Sequence, residues 1–358
     1  MFAVIFAGGA GTRLWPVSRQ NSPKQVQPFV DEQSLLQKTY QRVSRFFDPQ
    51  NIYLATNENC QKLILEQIEI KPENFIIEPQ KKDTAAALGL AAVKLFKKDP
   101  EAIMTNIWSD HYIKNEELYG QFLKIAEELV RKYPDKIILG GINPTYPETG
   151  YGYIKMGDPV EKVNGFELFK VAQFVEKPDL ETAKSYLQQW EYLWNPAYFF
   201  FKAKLLLDLF AQFEPDMHAS LMRIYQALET EEQEKVIKAE FEQIKKISID
   251  YAIMEKCNNL LVLPLDLGWA DVGNWKTVKD ILSSTEEENV IKGKSINIDS
   301  KNNLIYSYSG KLIATIGIKN KIIIETPDAI LVCDKDRAQE VKKIVEQLNE
   351  DTDLKIYS

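Results

Sequence analysis

The chain has 358 residues, 45% of them apolar, enough for one large domain with a sizeable core and a smaller element beside it. A net charge of −8 argues against a protein built to coat nucleic acid, while leaving room for a local basic pocket that takes a phosphorylated small molecule. Three scattered cysteines (Cys60, Cys257, Cys333) and two histidines (His111, His218) argue against a disulfide framework or a zinc centre, and with no basic n-region and no 18-residue apolar run they point to a soluble cytoplasmic protein.

Residues 2–7 read as a short buried strand ended by glycine. Similar apolar runs recur at 52–55, 75–77, 103–108 and 137–139, with helical spacing over 33–46, 58–69, 84–97 and 117–132. Strand alternating with helix predicts an α/β fold, a Rossmann-like, mostly parallel mixed sheet flanked by helices, with ligands outside the carboxyl ends of its strands. Beyond about residue 285 the pattern changes. Short strand candidates at 295–298, 304–308, 312–316, 321–325 and 330–333 are punctuated by Ser300-Lys301-Asn302-Asn303, Ser309-Gly310 and Pro327-Asp328. This predicts a small β element, closed by a helix over 336–349 whose one face carries Ala338, Val341, Ile344, Val345 and Leu348. No long repeat is evident in the sequence. The division expected is a large α/β domain over 1–284 and a β domain with its helix over 285–358.

After the first strand comes Gly8-Gly9-Ala10-Gly11-Thr12-Arg13, with Lys24 a short distance on. Glycines let a backbone approach a ligand and take positive φ, and successive amides in such a loop can surround phosphate oxygens. Arg13 and Lys24 could add charge-assisted contacts; a tight strand-to-helix turn without ligand is the plainer reading. The Walker pattern GxxxxGK[ST] is absent, and the dinucleotide pattern GxGxxG lacks its third glycine.

The ordered stretch Phe6-Ala7-Gly8-Gly9-Ala10-Gly11-Thr12-Arg13-Leu14-Trp15-Pro16-Val17-Ser18, followed by Pro23-Lys24-Gln25, resembles the signature of the nucleotide-sugar pyrophosphorylases. Its Leu-Trp-Pro-x-Ser portion is similar to the mannose-1-phosphate guanylyltransferase branch. The resemblance runs from residue 2 to about 348 and makes the domain over 1–284 the catalytic one. It implies a loop of Ala7, Gly8, Gly9, Gly11 and Thr12 around a triphosphate, with Arg13 and Lys24 as catalytic cations. In Ser109-Asp110-His111, Asp110 reads alone as a turn residue or N-cap. In Gly268-Trp269-Ala270-Asp271-Val272-Gly273, Asp271 reads as part of a packed corner. The resemblance makes both aspartates catalytic Mg²⁺ ligands, places Ser109 at the nucleotide, and leaves His111 to orient neighbours.

The segments Thr149-Gly150-Tyr151-Gly152 and Phe174-Val175-Glu176-Lys177-Pro178 read by themselves as a hairpin and a strand end. By resemblance Gly150, Gly152, Glu176, Lys177 and Asn195 bind the sugar phosphate. Gln80 and Thr84, in a loop that otherwise reads as a helix cap, lie against the nucleotide base. The segment 248–255 reads as a capped helix start that shapes the sugar pocket. Asp334-Lys335-Asp336 has the form of a metal-binding acidic pair, but its place at a helix start favours a dipole role. The chain departs from the family pattern at Lys82-Asp83, Trp108 and Pro196-Ala197.

The implied reaction joins GTP and mannose 1-phosphate to give GDP-mannose and pyrophosphate by in-line attack at the α-phosphorus. The implied assembly is a homodimer formed through a left-handed β-helix-like C-terminal domain. Many members of the family continue into an isomerase domain where this sequence ends at Ser358, so a monofunctional enzyme is the expectation. Another nucleotide and hexose 1-phosphate pair, or a catalytically silent binding subunit, are the alternatives.

Overall fold

The computed structural model describes residues 1–9 and 11–358, so Ala10 of the glycine loop lies outside the described residues. Strand β1 (Phe2–Phe6) is apolar throughout and becomes the pivot of the main sheet. Helix α1 (Leu35–Ser44) carries the chain to β2 (Ile52–Thr56), and α2 (Glu58–Leu65) leads to β3 (Phe75–Ile77), both strands on one side of β1. Helix α3 (Thr84–Lys98) then returns the chain to β4 (Ile103–Trp108), which pairs with β1 on its other side. β1 to β4 are mutually parallel. The strand order therefore reverses between β1 and β4, and their carboxyl ends open a crevice, the usual ligand site of such sheets.

Local sequence explains these elements. Ser34 and Gln37 cap α1 reciprocally, each side chain bonding the other's backbone N–H. Residues 85–88 and 90–93 of α3 are buried, and most are alanines, so the helix lies close to the sheet. Gly89 extends this: a Cβ there would sit 2.7 Å from Leu221.

After a short strand β5 (His111–Ile113) and α4 (Glu116–Lys132), the sheet is completed by β6 (Ile137–Ile142), β7 (Gly152–Val163) and β8 (Phe166–Val175). Past α5 (Leu180–Leu187) comes β9 (Tyr192–Lys202), and past α6 (Ala203–Phe213), α7 (Pro215–Ala227) and α8 (Gln233–Gln243) comes β10 (Leu260–Leu265). Among the described residues the sheet has nine strands in the order β3-β2-β1-β4-β9-β6-β10-β8-β7. It is mixed: β9 is antiparallel to β4 and β6, and β7–β8 is a long hairpin. Strand β9 carries Pro196 in its middle, a residue that normally argues against a strand; its pairing with β6 shifts register between Gly140 and Ile142. Beyond β10, β11 (Trp269–Asp271) pairs with β5, and α9 (Trp275–Leu282) closes the region.

The C-terminal strands are β12 (Val290–Lys292), β13 (Ser295–Ile298), β14 (Leu304–Ser307), β15 (Ile313–Ile316), β16 (Lys321–Glu325) and β17 (Ile330–Asp334). β13 pairs with β15 and β14 with β16, both parallel. These rungs repeat every 18 residues, as in Asn302 Nδ2 donating to Asn320 Oδ1 at 2.7 Å and Thr315 Oγ1 donating to Asn297 Oδ1 at 2.6 Å. The corners repeat in conformation, with Asp299 and Gly317, and likewise Asn302 and Asn320, at positive φ. The sequence shows no repeat here because the coils share backbone turns and inward polar ladders rather than residue identities. The closing helix also differs from expectation. Lys335–Glu340 is a 3₁₀ turn and α10 spans Val341–Glu350. Lys335 is anchored at both ends, its N–H on Asn320 O (2.9 Å) and Nζ on Asn302 Oδ1 (3.2 Å), which tightens that first turn.

Glu325 is a buried carboxylate of this β element. It accepts bonds from Ser307 Oγ (2.8 Å), the Ser309 hydroxyl and N–H, and Lys311 Nζ (3.0 Å). Burial opposes its charge, but these donors outweigh it and hold the carboxyl down at about 2, against an ordinary 4.5. A depressed folded-state value means the stabilisation is complete above about pH 4.5 and is lost as pH falls toward 2. Glu325→Gln is expected to cost about 1–3 kcal/mol at pH 7. The difference between wild type and variant in urea titrations should shrink steadily as pH falls from about 4.5 toward 2, and a constant difference down to pH 2 would refute the assignment.

One apolar cluster joins the two parts of the chain. It contains Leu14, Trp15, Val17 and Phe29, then Val272 and Trp275, then Leu304, Tyr306, Ile322, Ile324, Val341 and Leu348. Trp15 is its centre: its indole N–H donates to Tyr357 O (2.7 Å), and its carbonyl accepts from Trp275 Nε1 (2.8 Å). The segment after the glycine loop is thus fastened to the C-terminal element.

Candidate functional site

The glycine loop leaves β1 at the crevice. Ala7 N–H bonds Ala55 O on β2 (2.9 Å), keeping the strand register to its last residue. Gly8 and Gly9 are exposed, and a Cβ on either would meet nothing within 4 Å. Gly11 is different: φ is +59°, and a Cβ would stand 2.6 Å from Ser18 Oγ and 2.7 Å from Lys24 Cβ. Only glycine fits there. Gln25 Nε2 reaches back to Gly9 O (3.3 Å), so the Pro23-Lys24-Gln25 segment braces the loop. Thr12–Leu14 form one 3₁₀ turn, and Arg13 Nη1 donates to Gln339 Oε1 at 2.6 Å.

Asp110 follows β4 and Asp271 ends β11, and the β5–β11 ladder sets Asp271 opposite His111. Asp110, His111 and Asp271 each offer one ligand atom, all within 4.8 Å of one another; this is the one such grouping found among the described residues. Asp334 and Asp336 are not in it, and Asp334 ion-pairs with Lys321 (2.9 Å). Lys24 Nζ ion-pairs with Asp110 Oδ2 and lies 4.0 Å from Asp271 Oδ1. Burial opposes the charge on Lys24, but the two carboxylates outweigh it and hold its ammonium above the ordinary value. Burial likewise opposes ionisation of Asp110, and Lys24 reverses that, keeping the carboxyl below the usual range. His111 is pushed down chiefly by burial, so its imidazole is neutral near pH 7; Nδ1 contacts Tyr198 OH at 3.0 Å. Asp271 Oδ1 is buried without a hydrogen-bond partner. Two convergent carboxylates, one with an orphaned buried oxygen, suit a hard divalent cation.

The second half of the crevice lies across β7 and β9. Gly152 pairs with Asn195, and a Cβ on Gly152 would be 2.6 Å from Glu176 Oε2 and 3.2 Å from Asn195 Cβ. Glu176, Asn195 and the Gly152 backbone therefore face one small space. Lys177 is exposed, takes φ +49°, and its Nζ ion-pairs with Glu176. Gly150 is exposed and held by Glu148 through its N–H (2.8 Å). Gln80 is exposed at the end of the loop after β3. The Thr84 hydroxyl accepts from Ile249 N–H (2.8 Å), which ties the start of α3 to the segment that meets Asn195 through Asp250. Asp83, at φ +71°, caps α3, and Lys82 Nζ reaches Glu242 O (3.1 Å).

The sequence matches the nucleotidyl transferase family model over residues 2–288 and the MannoseP isomerase/GMP-like beta-helix domain over residues 293–348. The chain belongs to the nucleotidyl transferase family. It is 36% identical over 359 residues to mannose-1-phosphate guanylyltransferase ManC of Salmonella typhimurium, covering 98% of this chain and 74% of that protein. It is 37% identical over 348 residues to the xanthan biosynthesis protein XanB of Xanthomonas campestris, covering 96% and 72%. Among solved structures, one described as mannose-1-phosphate geranyltransferase from Thermus thermophilus superposes with a TM-score of 0.87 at 29% identity, over 97% of this chain and 99% of that one. Among the described residues, no helix is long and apolar enough to cross a membrane.

Several residues of this candidate site carry no mark in the sequence. On α1, Thr39 Oγ1 donates to Ser109 O (3.2 Å) and Arg42 donates to His111 O (3.2 Å). Together they clamp the backbone on both sides of Asp110. A buried arginine among Leu35, Leu36 and Val43 of a helix was the available signal. Glu78 is the other. Its N–H bonds Thr56 O (2.8 Å), and Thr56 Oγ1 bonds Ala7 O (2.8 Å), so the ends of β3, β2 and β1 stand in a row. Burial pushes the Glu78 carboxyl up to about 7, with Lys81 opposing only in part. Pro79 hid it in the sequence, since Glu-Pro reads as ordinary loop.

Proposed function

We propose that this cytoplasmic nucleotidyl transferase moves GMP from GTP to α-D-mannose 1-phosphate, releasing pyrophosphate and forming GDP-mannose. The observation that carries the reading is the convergence, at one strand-order reversal, of an open glycine loop, a buried lysine and two aspartates. The guanylyltransferase names of the relatives supply the substrates.

Gly8, Gly9, Gly11 and Thr12 would cradle the triphosphate through backbone N–H groups. Ala7 and Ser109 border that cradle, and Gln80 and Thr84 flank the base. Gly150, Gly152, Glu176 and Asn195 would hold the hexose, and Lys177 its phosphate. A phosphate oxygen of the sugar phosphate attacks the α-phosphorus. The new P–O bond forms as the bond to the bridging oxygen of the β-phosphate breaks, and pyrophosphate leaves with that electron pair. Arg13 and Lys24 neutralise charge on the leaving group, and the loop keeps attack and departure in line. Asp110 and Asp271, with His111 beside them, would hold Mg²⁺, which supplies a Lewis acid at the α-phosphate.

Glu78 fits the base end of this arrangement. The Watson–Crick edge of guanine presents two adjacent N–H donors that one carboxylate can accept, whereas adenine presents an acceptor there. Glu78→Gln is expected to lower kcat/KM for GTP about 10- to 100-fold and to narrow its advantage over ATP. Unchanged GTP preference would remove Glu78 from base reading.

We extend the proposal to a homodimer through the C-terminal element. The outward side of the β13–β15 pair exposes Ile296, Ile298 and Ile316, with Leu312 beside them. Light scattering should give twice the chain mass, falling to one with Ile298→Asp and Ile316→Asp combined. A monomeric wild type refutes this part.

The reaction itself is tested by pyrophosphate release with Mg²⁺, using five nucleoside triphosphates crossed with mannose and glucose 1-phosphates. Turnover concentrated on GTP with mannose 1-phosphate is expected. Preference for another pair overturns the substrates, and silence from folded protein overturns the activity.

A further inference from the structure

The segment 248–255 has no role in the mechanism above, yet it holds a buried carboxyl beside the sugar half of the crevice. Asp250–Met254 is a π-helical turn, a conformation that is rare and concentrated at functional sites. Asp250 is 8% exposed, and its Oδ1 accepts a hydrogen bond from Asn195 Nδ2 at 3.1 Å. Asn195 Oδ1 in turn accepts the Ala197 N–H at 2.8 Å, with Ala197 at φ +53°. An amide held by an acceptor on its nitrogen and a donor on its oxygen has one orientation; flipping it would set oxygen against carboxylate and NH₂ against N–H. One N–H of Asn195 remains for a ligand, in the space shared by Glu176 and the Gly152 backbone. Burial and the nearby Glu176 push the Asp250 carboxyl up to about 7, with Lys177 opposing.

We propose that Asp250 is a positioning residue for sugar-phosphate recognition: it locks the Asn195 amide so that its free N–H faces the hexose. This rests on the reading that Gly152, Glu176 and Asn195 meet the sugar. Its effect then belongs to the sugar-phosphate KM, while the nucleotide side, built on β1 to β4, is untouched.

The test is steady-state kinetics of Asp250→Ala, Asn195→Ala, the double variant and Asp250→Asn, each checked for folding by circular dichroism. Asp250→Ala is expected to raise KM for mannose 1-phosphate at least tenfold, with KM for GTP within twofold. The double variant should be no worse than the worse single variant, because one link is broken twice. Asp250→Asn keeps an acceptor for Asn195 and should recover most of the loss. Additive losses, parallel rises in both KM values, or no rise would overturn the proposal. Should Asp250→Ala not fold, Asn195→Ala and Asp250→Asn carry the same comparison: a sugar-specific KM rise in the first with near-complete retention in the second. If wild type prefers another hexose 1-phosphate, the KM for that sugar is read instead. Failure of the substrate assignment and failure of the Asp250 role are thereby separate results.

Discussion

Asp110→Asn is expected to abolish nucleotidyl transfer while leaving the fold intact. Asparagine preserves the size of the side chain and an oxygen acceptor, but removes the charge that pairs with Lys24 and that a divalent cation needs. Thr39 and Arg42 hold the neighbouring carbonyls of Ser109 and His111, so the backbone path does not depend on the carboxylate. Losing one of two carboxylates at a phosphoryl-transfer centre removes stabilisation of about 4 kcal/mol or more, corresponding to at least a thousandfold in kcat. Pyrophosphate release should fall to background while the circular dichroism spectrum matches wild type. Near-normal turnover would falsify the assignment of Asp110.

Lys24→Met is expected to have two opposite effects: loss of turnover and tighter cation binding by the nucleotide-free protein. The ammonium lies against Asp110 and 4.0 Å from Asp271, where it neutralises one of two carboxylates. Two unit charges at that separation interact by about 4 kcal/mol at an effective dielectric constant of about 20. Methionine keeps the length of the chain and leaves the carboxylate pair uncompensated. Mn²⁺ titrated into the nucleotide-free variant, read by the loss of its free electron-spin signal, should bind about tenfold tighter than in wild type. Turnover should drop at least a hundredfold if, as proposed, this cation balances the leaving pyrophosphate. Equal or weaker Mn²⁺ binding would show that Lys24 does not compensate the aspartate pair.

Lys24 also illustrates how far the sequence could be read. Its place after the glycine loop marked it as a phosphate cation, and the loop itself was legible because glycine at positive φ is a local requirement. Gly11 confirms this, wedged against Ser18 and Lys24. That the same lysine sits on Asp110 depends on β1 and β4 being neighbours, a fact of strand order. Trp15 marks the guanylyl branch in the sequence, and the structure adds its physical role: its bonds to Tyr357 and Trp275 fasten the loop to the C-terminal element. Glu78 and Asp250 lie in segments that the sequence already marks as flanking the base and shaping the sugar pocket, but a lone acidic residue in a loop or at a helix start has an ordinary explanation and takes no role of its own there. Only burial distinguishes them.

By itself the sequence determined the α/β alternation, the helices that flank the sheet and the glycine loop. All of these are set by contacts within a few residues, where apolar period, capping and glycine act. The tertiary structure alone decided that Asp271 meets Asp110 beside the β5–β11 ladder, that Asn195 is held by Asp250, and that the β13–β15 and β14–β16 rungs repeat every 18 residues. Those pairings join segments far apart in the chain. They follow from strand order and from corners matched in backbone conformation, neither of which leaves a local residue pattern.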